Sequence, residues 1–192
     1  MSSLNSLLAK KAEKGDLNEV KNLIERGANV HAYFEHALRW SARNGHLDVV
    51  KFLVEKGADI HIESEEALRW SGANGSLDVV KYLVEKGADI HACSDDALQW
   101  SAYFGNFNVV KFLVEKGADI HANSERALRL STLHGHLDVV KYLMEKGANI
   151  PDNPYNKQIV MKCLFKIKLS SIQKNDTIYI IDAFIHKWLW KP

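Results

Sequence analysis

Residues 44–60 read NGHLDVVKFLVEKGADI, and this stretch decides the fold because the chain repeats it. The stretch returns with few changes from Asn74, Phe104 and His134, and more loosely from Lys14. Written in lines of 30 residues, the sequence superposes as five copies, which begin at Leu7, Ala37, Ala67, Ala97 and Ala127. Self-similarity at a fixed period is typical of solenoid proteins, in which similar units stack along one axis.

Ten of the eleven glycines fall into two columns of this alignment. In the second copy these columns are represented by Gly45 and Gly57, which flank the Leu47–Lys56 segment. Glycine takes positive φ without the steric cost that a side chain brings. We therefore expect the first column to mark a tight turn and the second column to close the C-terminus of a helix.

The segment between the two glycines has the pattern of an amphipathic helix. Apolar residues recur at helical spacing on one side and charged residues on the other, namely Leu47, Val50, Leu53 and Val54 against Asp48, Lys51 and Glu55. A shorter helix, from Ala37 to Asn44, is expected before the turn glycine. One such helix pair cannot bury its own apolar side, so the pairs are expected to stack into an all-α array.

The stretch 44–60 resembles the second half of an ankyrin repeat, and the resemblance covers about Leu7 to Ile150. It implies an all-α ankyrin-repeat solenoid of stacked helix-turn-helix pairs with short connectors over residues 1–150. The near-identity of the copies and their Ala-Leu-Arg-Trp opening also resemble the ankyrin arrays of giant DNA viruses of amoebae. The family resemblance further implies a non-enzymatic module that binds a partner protein, whose identity it does not specify.

Two features depart from the family pattern. The period is 30 residues, whereas ankyrin repeats have about 33. The shortage falls between Ile60 and Ala67, where the family has a β-hairpin finger, so these fingers are expected to be blunted or absent. The family's Thr-Pro-Leu-His opening is also replaced, for example by Ala37-Leu38-Arg39-Trp40. Hydrogen bonds that the family assigns to that threonine and histidine are therefore not expected here.

The two ends of the chain differ from the repeats between them. The first copy is more polar, as a terminal cap requires for solubility, with Asn18, Glu19 and Asn22 on its second helix. After Ile150 the repeat pattern stops. Two helical stripes follow in residues 151–192: Ile159, Val160, Cys163, Leu164 and Ile167, then Ile178, Ile181, Ile185 and Trp188. This tail is either a helical cap, formed by a degenerate repeat, or a module that docks to other proteins.

Composition and charge exclude several classes of protein. Apolar residues are 46% and charged residues 26% of the chain, the balance of a folded and soluble protein. Lys and Arg number 25 against 24 for Asp and Glu, which argues against nucleic-acid binding. No apolar stretch approaches the roughly 20 residues that cross a bilayer, and the first residues lack the pattern of a secretory signal. Two cysteines cannot form a disulfide framework, so we expect a cytoplasmic protein, in the host cytoplasm if it is viral. We also expect it to be a monomer.

No residue pattern in the sequence indicates a metal, a cofactor or catalysis. A histidine recurs at one position of four copies, as His31, His61, His91 and His121. Stacked helices lie about 8–10 Å apart, whereas zinc requires ligand nitrogens at about 2.0–2.1 Å, so this column is assigned a structural role in the connectors. His134 and His136 lack cysteine or carboxylate partners at a recognised spacing. Cys163 lies on an apolar stripe, which favours a core residue over a nucleophile.

A tryptophan recurs at the end of the Ala-Leu-Arg-Trp opening, as Trp40, Trp70 and Trp100. Exposed tryptophans would be strong binding residues. At this position in the family, however, side chains usually pack between neighbouring helix pairs. The tryptophans are therefore predicted to lie in the core between repeats, with each indole N–H paired to an acceptor.

Variation among the copies locates the candidate binding residues. The second helix barely changes, whereas the connector and the end of the first helix vary freely, and both regions belong to the concave face that ankyrin arrays use for partners. The candidate partner-binding residues are Tyr33, Phe34, Arg43, Glu63, Glu66, Asp96, Tyr103, Phe104, Arg126, Leu133 and His134. The sequence thus predicts a protein-binding array, with Tyr103 and Phe104 as anchors. The alternative is an adaptor whose tail recruits machinery such as a ubiquitin ligase.

Overall fold

The computed structural model describes residues 2–150 and 153–170, and the described part of the chain is helical throughout, without a strand. This confirms the predicted all-α architecture. The helices are α1 (Ser2–Glu13), α2 (Leu17–Glu25), α3 (Ala32–Arg43), α4 (Leu47–Glu55), α5 (Ile62–Ala73), α6 (Leu77–Glu85), α7 (Ala92–Tyr103), α8 (Phe107–Glu115), α9 (Ala122–Leu133), α10 (Leu137–Glu145) and α11 (Pro154–Ser170).

The first ten helices form two rows along the stack. The inner helices α1, α3, α5, α7 and α9 pack closely on one another, whereas the outer helices α2, α4, α6, α8 and α10 contact their neighbours in the row at fewer places. A stack that is more tightly spaced on one side bends toward that side. The inner helices therefore line the concave face, and the outer helices line the convex face.

The core is built from one leucine in each helix of each repeat. Ten such side chains are fully buried at intervals of 15 residues, from Leu8 and Leu23 in the first repeat to Leu128 and Leu143 in the fifth. Burial of one leucine side chain contributes about 1.5–3 kcal/mol. Because these leucines belong to one core cluster that runs through all five repeats, the stability of one repeat depends on its neighbours.

Both glycine columns have the backbone that the sequence predicts. Gly45 has φ +78° in the turn between α3 and α4, and Gly57 has φ +93° just after α4. A Cβ on Gly45 would also come within 2.7 Å of the Ser76 side-chain oxygen in the next repeat, whereas the space beside Gly57 is open. The turn glycine thus permits close stacking of repeats as well as the tight turn.

The connectors are the least predictable part of the array. The right-handed helix begins just after Glu35, close to the predicted start at Ala37, but the helical segment α3 also includes the residues before it, from Ala32. It opens with one left-handed turn in which Tyr33, Phe34 and Glu35 all have φ between 55° and 57°. The same turn recurs before α5, α7 and α9. A 30-residue period leaves too little chain for a hairpin finger, and this compact turn takes its place.

The helix α11 packs against α9 and α10 at the C-terminal end of the repeats. Its Val160 and Cys163 side chains are buried, and the Cys163 thiol donates to the Thr132 carbonyl at 3.5 Å. The first predicted helix of the tail is therefore confirmed, and it begins at Pro154, where proline is well tolerated. The second predicted stripe, from Ile178 to Trp188, lies outside the described residues. The domain boundary at residue 150 and the role of the tail, cap or docking module, stay predictions.

Candidate protein-binding face

The phase of the inner helices determines which side chains face the concave surface. In α3, Leu38, Ser41 and Ala42 are buried in the core. Trp40 and Arg43 lie three residues apart on the adjoining stripe and are only half-buried. The same holds one repeat later, where Trp70 is 36% exposed. The prediction that the tryptophans lie in the core between repeats is wrong: they form a row on the concave face.

Large apolar side chains are exposed only on the inner side of the described array and at its ends. They are Leu7, Tyr33, Phe34, Trp70, Phe104, Leu133 and Tyr155. Six of the seven belong to inner helices, to the left-handed turns that open them, or to α11, and the seventh, Phe104, caps the C-terminal end of α7. None belongs to an outer helix. Exposed apolar surface that is confined to one side of a soluble protein marks an interaction site.

Arg43 is seated between two tryptophans of consecutive repeats. Its Cζ atom lies 4.6 Å from the ring centroid of Trp40 and 4.6 Å from that of Trp70. A guanidinium over the face of an indole is attracted by the negative face of the ring, by about 0.5–2 kcal/mol depending on its exposure. We call the space between Trp40 and Trp70, which Arg43 occupies, the first slot.

Carboxylates from the inner helices hold two of the indoles. Trp70 donates its Nε1–H to Glu66 at 2.6 Å, and Trp100 donates its Nε1–H to Asp96 at 3.0 Å. The prediction of a partner for the indole N–H is thus confirmed at these two positions. Burial works to raise the pKa of Glu66, but hydrogen bonds from Trp70 and Arg39 outweigh it and hold that pKa below its ordinary value.

Each of these carboxylates also pairs with an arginine of the preceding repeat. The Arg39 guanidinium donates to Glu66, and Arg69 Nε lies 3.0 Å from Asp96 Oδ2. Glu66 and Asp96, predicted as partner-binding residues, therefore tie adjacent repeats together and fix the tryptophan rings. Their half-buried side chains leave little carboxylate surface for a partner.

Three of the predicted residues form an aromatic cluster beside Trp100. The Tyr103 ring lies 5.4 Å from Trp100, 4.7 Å from Phe104 and 4.1 Å from His134 between ring centroids. Phe104 is 51% exposed, whereas Tyr103 is half-buried. His136 fixes the backbone below them by donating Nε2–H to the Tyr103 carbonyl at 2.8 Å. The predicted anchors thus lie together, with Phe104 the more accessible of the two.

The tryptophan row encloses two clefts. The first has a volume of about 170 Å³ and is lined by Arg39, Trp40, Arg43, Glu66 and Trp70. The second, which we call the second slot, lies one repeat further on. Its volume is about 280 Å³, and its lining is Arg69, Trp70, Ala73, Trp100 and Phe104.

The remaining predicted residues lie apart from the tryptophan row. Tyr33, Phe34 and Glu63 occupy the left-handed turns, where Phe34 is 68% exposed. Arg126 is half-buried at the start of the right-handed part of α9, and Leu133 is exposed at the C-terminal end of that helix. The structure therefore does not bring all eleven predicted residues into one site. It gathers Arg43, Tyr103, Phe104 and His134 around the tryptophans and leaves the turns as a separate rim.

The histidine column has the structural role that the sequence predicts. His61 Nδ1 lies 2.5 Å from Glu65 Oε1, and His91 Nδ1 lies 3.0 Å from Asp95 Oδ1. The carboxylates are buried, so each pair ties the connector to the following helix. The hydrogen bond with Glu65 raises the pKa of His61. Within the described residues, no group of three or more His, Cys, Asp and Glu side chains could hold a metal ion.

Cys163 is a core residue, as its position on an apolar stripe predicts. Its side chain is buried under α9, and burial raises the pKa of its thiol. The nucleophilic form of cysteine is the thiolate, so this environment disfavours reactivity at neutral pH. Its packing against Thr132 instead supports the closure of the stack by α11.

Sequence reasoning missed Trp40, Trp70 and Trp100 as surface residues, and with them Arg69 and Ala73. The helix phase carries a signal that could have found the tryptophans. Leu38, Ser41 and Ala42 make a self-consistent core stripe at spacings of three and four residues. Trp40 falls outside that stripe and shares its side of the helix with the variable position 43.

Comparison with known families agrees with this architecture. The family model described as ankyrin repeats (three copies) matches residues 7–94 and 68–153. The chain belongs to the ankyrin-repeat family, whose members are protein-interaction modules of a non-enzymatic type. The comparison with curated proteins finds no match. The resemblance to arrays of giant DNA viruses is therefore unsupported and stays a prediction.

One finding bears on membranes. No helix in the described ranges 2–150 and 153–170 is both long enough and apolar enough to cross a bilayer.

Proposed function

We propose that this chain binds a partner protein on the concave face, along the tryptophan row and the Tyr103–Phe104 cluster. The observation that carries this proposal is the confinement of exposed large apolar side chains, within the described residues, to the inner helices, their opening turns, the C-cap of α7 and α11. Exposed aromatic side chains cost solubility, and a face that keeps several of them in one row is suited to recognition. Tryptophan, tyrosine and arginine are also the residues that contribute most to binding energy at protein interfaces.

The face is preorganised for binding. Hydrogen bonds to Glu66 and Asp96 fix the indoles of Trp70 and Trp100, and the cation–π stack fixes Arg43. Side chains that are already immobile lose little conformational entropy when a partner docks. The concave curvature further allows one partner to contact several repeats at once.

In this proposal the tail is chiefly a cap, and the protein acts as a cytoplasmic monomer. The packing of α11 on α9 and α10, through Val160 and Cys163, supports the cap. The adaptor alternative depends on residues 171–192, which lie outside the described part. A chain that ends after Ser170 keeps α11 and removes only that segment. Loss of captured ligase subunits from this shorter chain, with other partners retained, would favour the adaptor.

The test compares the two faces of the same array. Partners are captured by cross-linking to the full chain and then measured as purified proteins. Tyr103→Ala with Phe104→Ala should weaken a genuine partner by about 2 kcal/mol or more, which is the scale of interface hot spots. The matched control, Lys51→Glu with Lys81→Glu on the outer helices, should change affinity by less than about 0.5 kcal/mol.

Circular dichroism checks that both variants keep the helical content of the parent chain. If the outer variant abolishes binding while the inner variant binds normally, the binding face is misassigned.

A further inference from the structure

The first and second slots are related by the repeat but differ in one residue. In the first slot, Arg43 rises from the end of α3 and lies between Trp40 and Trp70. One repeat later the equivalent position is Ala73, at the end of α5, between Trp70 and Trp100. We infer that the second slot binds an arginine side chain of the partner protein. This inference rests on the proposed function and names the chemistry of one partner residue.

The protein itself provides the template for this contact. Arg43 shows that two tryptophans of consecutive repeats are spaced to receive a guanidinium between their rings, at 4.6 Å from each centroid. Trp70 and Trp100 occupy the same positions of consecutive repeats with the same 30-residue period. With alanine in place of arginine, the space widens from about 170 Å³ to about 280 Å³.

The slot on the other side of Trp100 is filled, which makes the second slot distinctive. The position equivalent to Arg43 and Ala73 is there taken by Tyr103, whose ring lies 5.4 Å from that of Trp100. The next member of the tryptophan column is replaced by Leu130. The first of the three consecutive slots is closed by a cation of the chain and the third by an aromatic ring. The second keeps an open cleft, although the Phe104 ring in its lining stacks on Trp100 at 6.1 Å between centroids.

The charges around the second slot accommodate a guanidinium. Arg69 lines the slot, but its Nε lies 3.0 Å from Asp96 Oδ2, so its charge is paired. The first slot has the same arrangement, in which Arg39 pairs with Glu66 while Arg43 lies between the rings. A second guanidinium beside such a pair is therefore an arrangement that this fold already contains.

The convex face supplies an independent observation. One aromatic residue recurs in the outer helices α4, α6, α8 and α10, and each ring of this column has a lysine of this chain over it, with Nζ at 5.5–5.8 Å from the centroid: Phe52, Tyr82, Phe112 and Tyr142. Cations of the chain thus cover the rings of the outer column. The two rings that bound the second slot differ from this column. Arg43 covers one face of Trp70, and an open cleft lies between Trp70 and Trp100.

Arginine fits this gap better than lysine or an apolar side chain. The guanidinium is planar and weakly hydrated, so it stacks between two rings at a small desolvation cost, whereas an ammonium group is compact and strongly hydrated. An apolar side chain would gain burial alone. The order expected for the second slot is therefore arginine, then lysine, then leucine.

The test uses the full chain and short blocked peptides of the form Gly-Gly-Xaa-Gly-Gly. Indole N–H resonances of the ¹⁵N-labelled protein, assigned with single Trp→Phe variants, are followed while peptides with Xaa as arginine, citrulline, lysine or leucine are added. The arginine peptide should shift Trp70 and Trp100 saturably. Citrulline keeps the planar shape without the charge, and it should bind about tenfold or more weakly.

Two variants test the slots by adding an arginine of this chain to one slot or removing it from the other. Ala73→Arg places the chain's own guanidinium between Trp70 and Trp100, so it should abolish the shifts caused by the arginine peptide. Arg43→Ala opens the first slot, so the arginine peptide should then shift Trp40 as well. The parent's circular dichroism spectrum should be retained in both variants.

Three results would overturn the inference: equal binding of citrulline, lysine or leucine, an unchanged titration in Ala73→Arg, or no saturable shift at all. The proposed function has a separate readout: Phe104 lines the second slot but Tyr103 does not, so the single variant Tyr103→Ala tests the concave face without changing that lining. A partner that this variant weakens while the slot stays silent refutes only this inference. A partner that binds the convex face refutes the proposed function, whatever the peptides do.

Discussion

The aromatic rings of the convex and concave faces differ in the cations that lie over them. On the convex face, Phe52 lies under both Lys21 and Lys56, and Tyr82 lies under Lys51 and Lys86. Among the described residues of the concave face, only Arg43 lies between two rings, and the next slot opens beside Trp70 as a cleft. The outer rings thus contact lysines of the same chain, whereas part of the tryptophan row stays open to contact with another molecule.

This difference teaches how nearly identical repeats carry function. The lysines of the outer helices recur in every copy, so the convex face is repeated along with the fold. On the inner helices, position 43 and its equivalents change from arginine to alanine, tyrosine and leucine. A uniform scaffold therefore presents a different surface at each step of the stack. The variable positions are exposed or half-buried, so they change at little cost to stability.

The largest expected effect comes from removing α11, which covers the last repeat and so supports the helices of both faces. A chain cut after Asn149 loses α11 and uncovers α9 and α10, against which Val160 and Cys163 are buried. Losing this cover should cost roughly 3 kcal/mol or more, because burial of one such side chain is worth about 1.5–3 kcal/mol. Hydrogen exchange should quicken in the fifth repeat while the second repeat stays protected. Unaltered protection throughout would show that α11 does not cap the array.

A smaller effect is expected when one cation is removed from each face and the free energies of unfolding are compared. Arg43→Gln removes a charge that lies between two rings and should destabilise the protein by about 1 kcal/mol. Lys56→Gln is its matched control on the convex face. It should cost less than about 0.5 kcal/mol, because Lys56 is solvent-exposed and Lys21 remains over the same ring. Urea unfolding of both variants gives the comparison, and an equal loss would contradict the distinct role assigned to the first slot.

The smallest expected effect is a pH dependence of the free energy of unfolding, caused by histidines in the connectors. Hydrogen bonds with Glu65 and Glu125 raise the pKa values of His61 and His121 above 6.5, the ordinary value for histidine. A raised folded-state pKa stabilises the fold fully below pH 6.5, and this contribution is lost as pH rises through the folded-state value. Both histidines are about half exposed, so the gain is only a few tenths of a kcal/mol.

The double variant His61→Gln with His121→Gln should remove that dependence. Urea midpoints of the parent and the variant, measured at about pH 6 and about pH 8, should converge at the higher pH. The other histidines are the same in both proteins, so their contributions cancel in the difference. A gap that is as large at about pH 8 as at about pH 6 would contradict the assigned pairing.

Much of the fold could be predicted because its signals are local and repeated. Gly45 and Gly57 have the positive φ that their columns predict, and Leu53 is buried as its helical spacing predicts. The candidate site was predicted less completely. Phe104 and Arg43 were found through their variation among copies, whereas the tryptophans were assigned to the wrong environment. Helical spacing shows which residues share a side, but a stripe at the edge of the core can face either a neighbour or solvent.

The sequence by itself determined the stacking of helix pairs, the turns at their glycines, the first helix of the tail and a structural role for the histidines of the connectors. These features follow from contacts within one repeat or between equivalent positions of adjacent repeats. Only the tertiary structure decided that Arg43 lies between Trp40 and Trp70, that the connectors wind into left-handed turns, and that Ala73 leaves a cleft. Each of these depends on the spacing and rotation between repeats, which side-chain packing sets across the whole stack and no single stretch of sequence encodes.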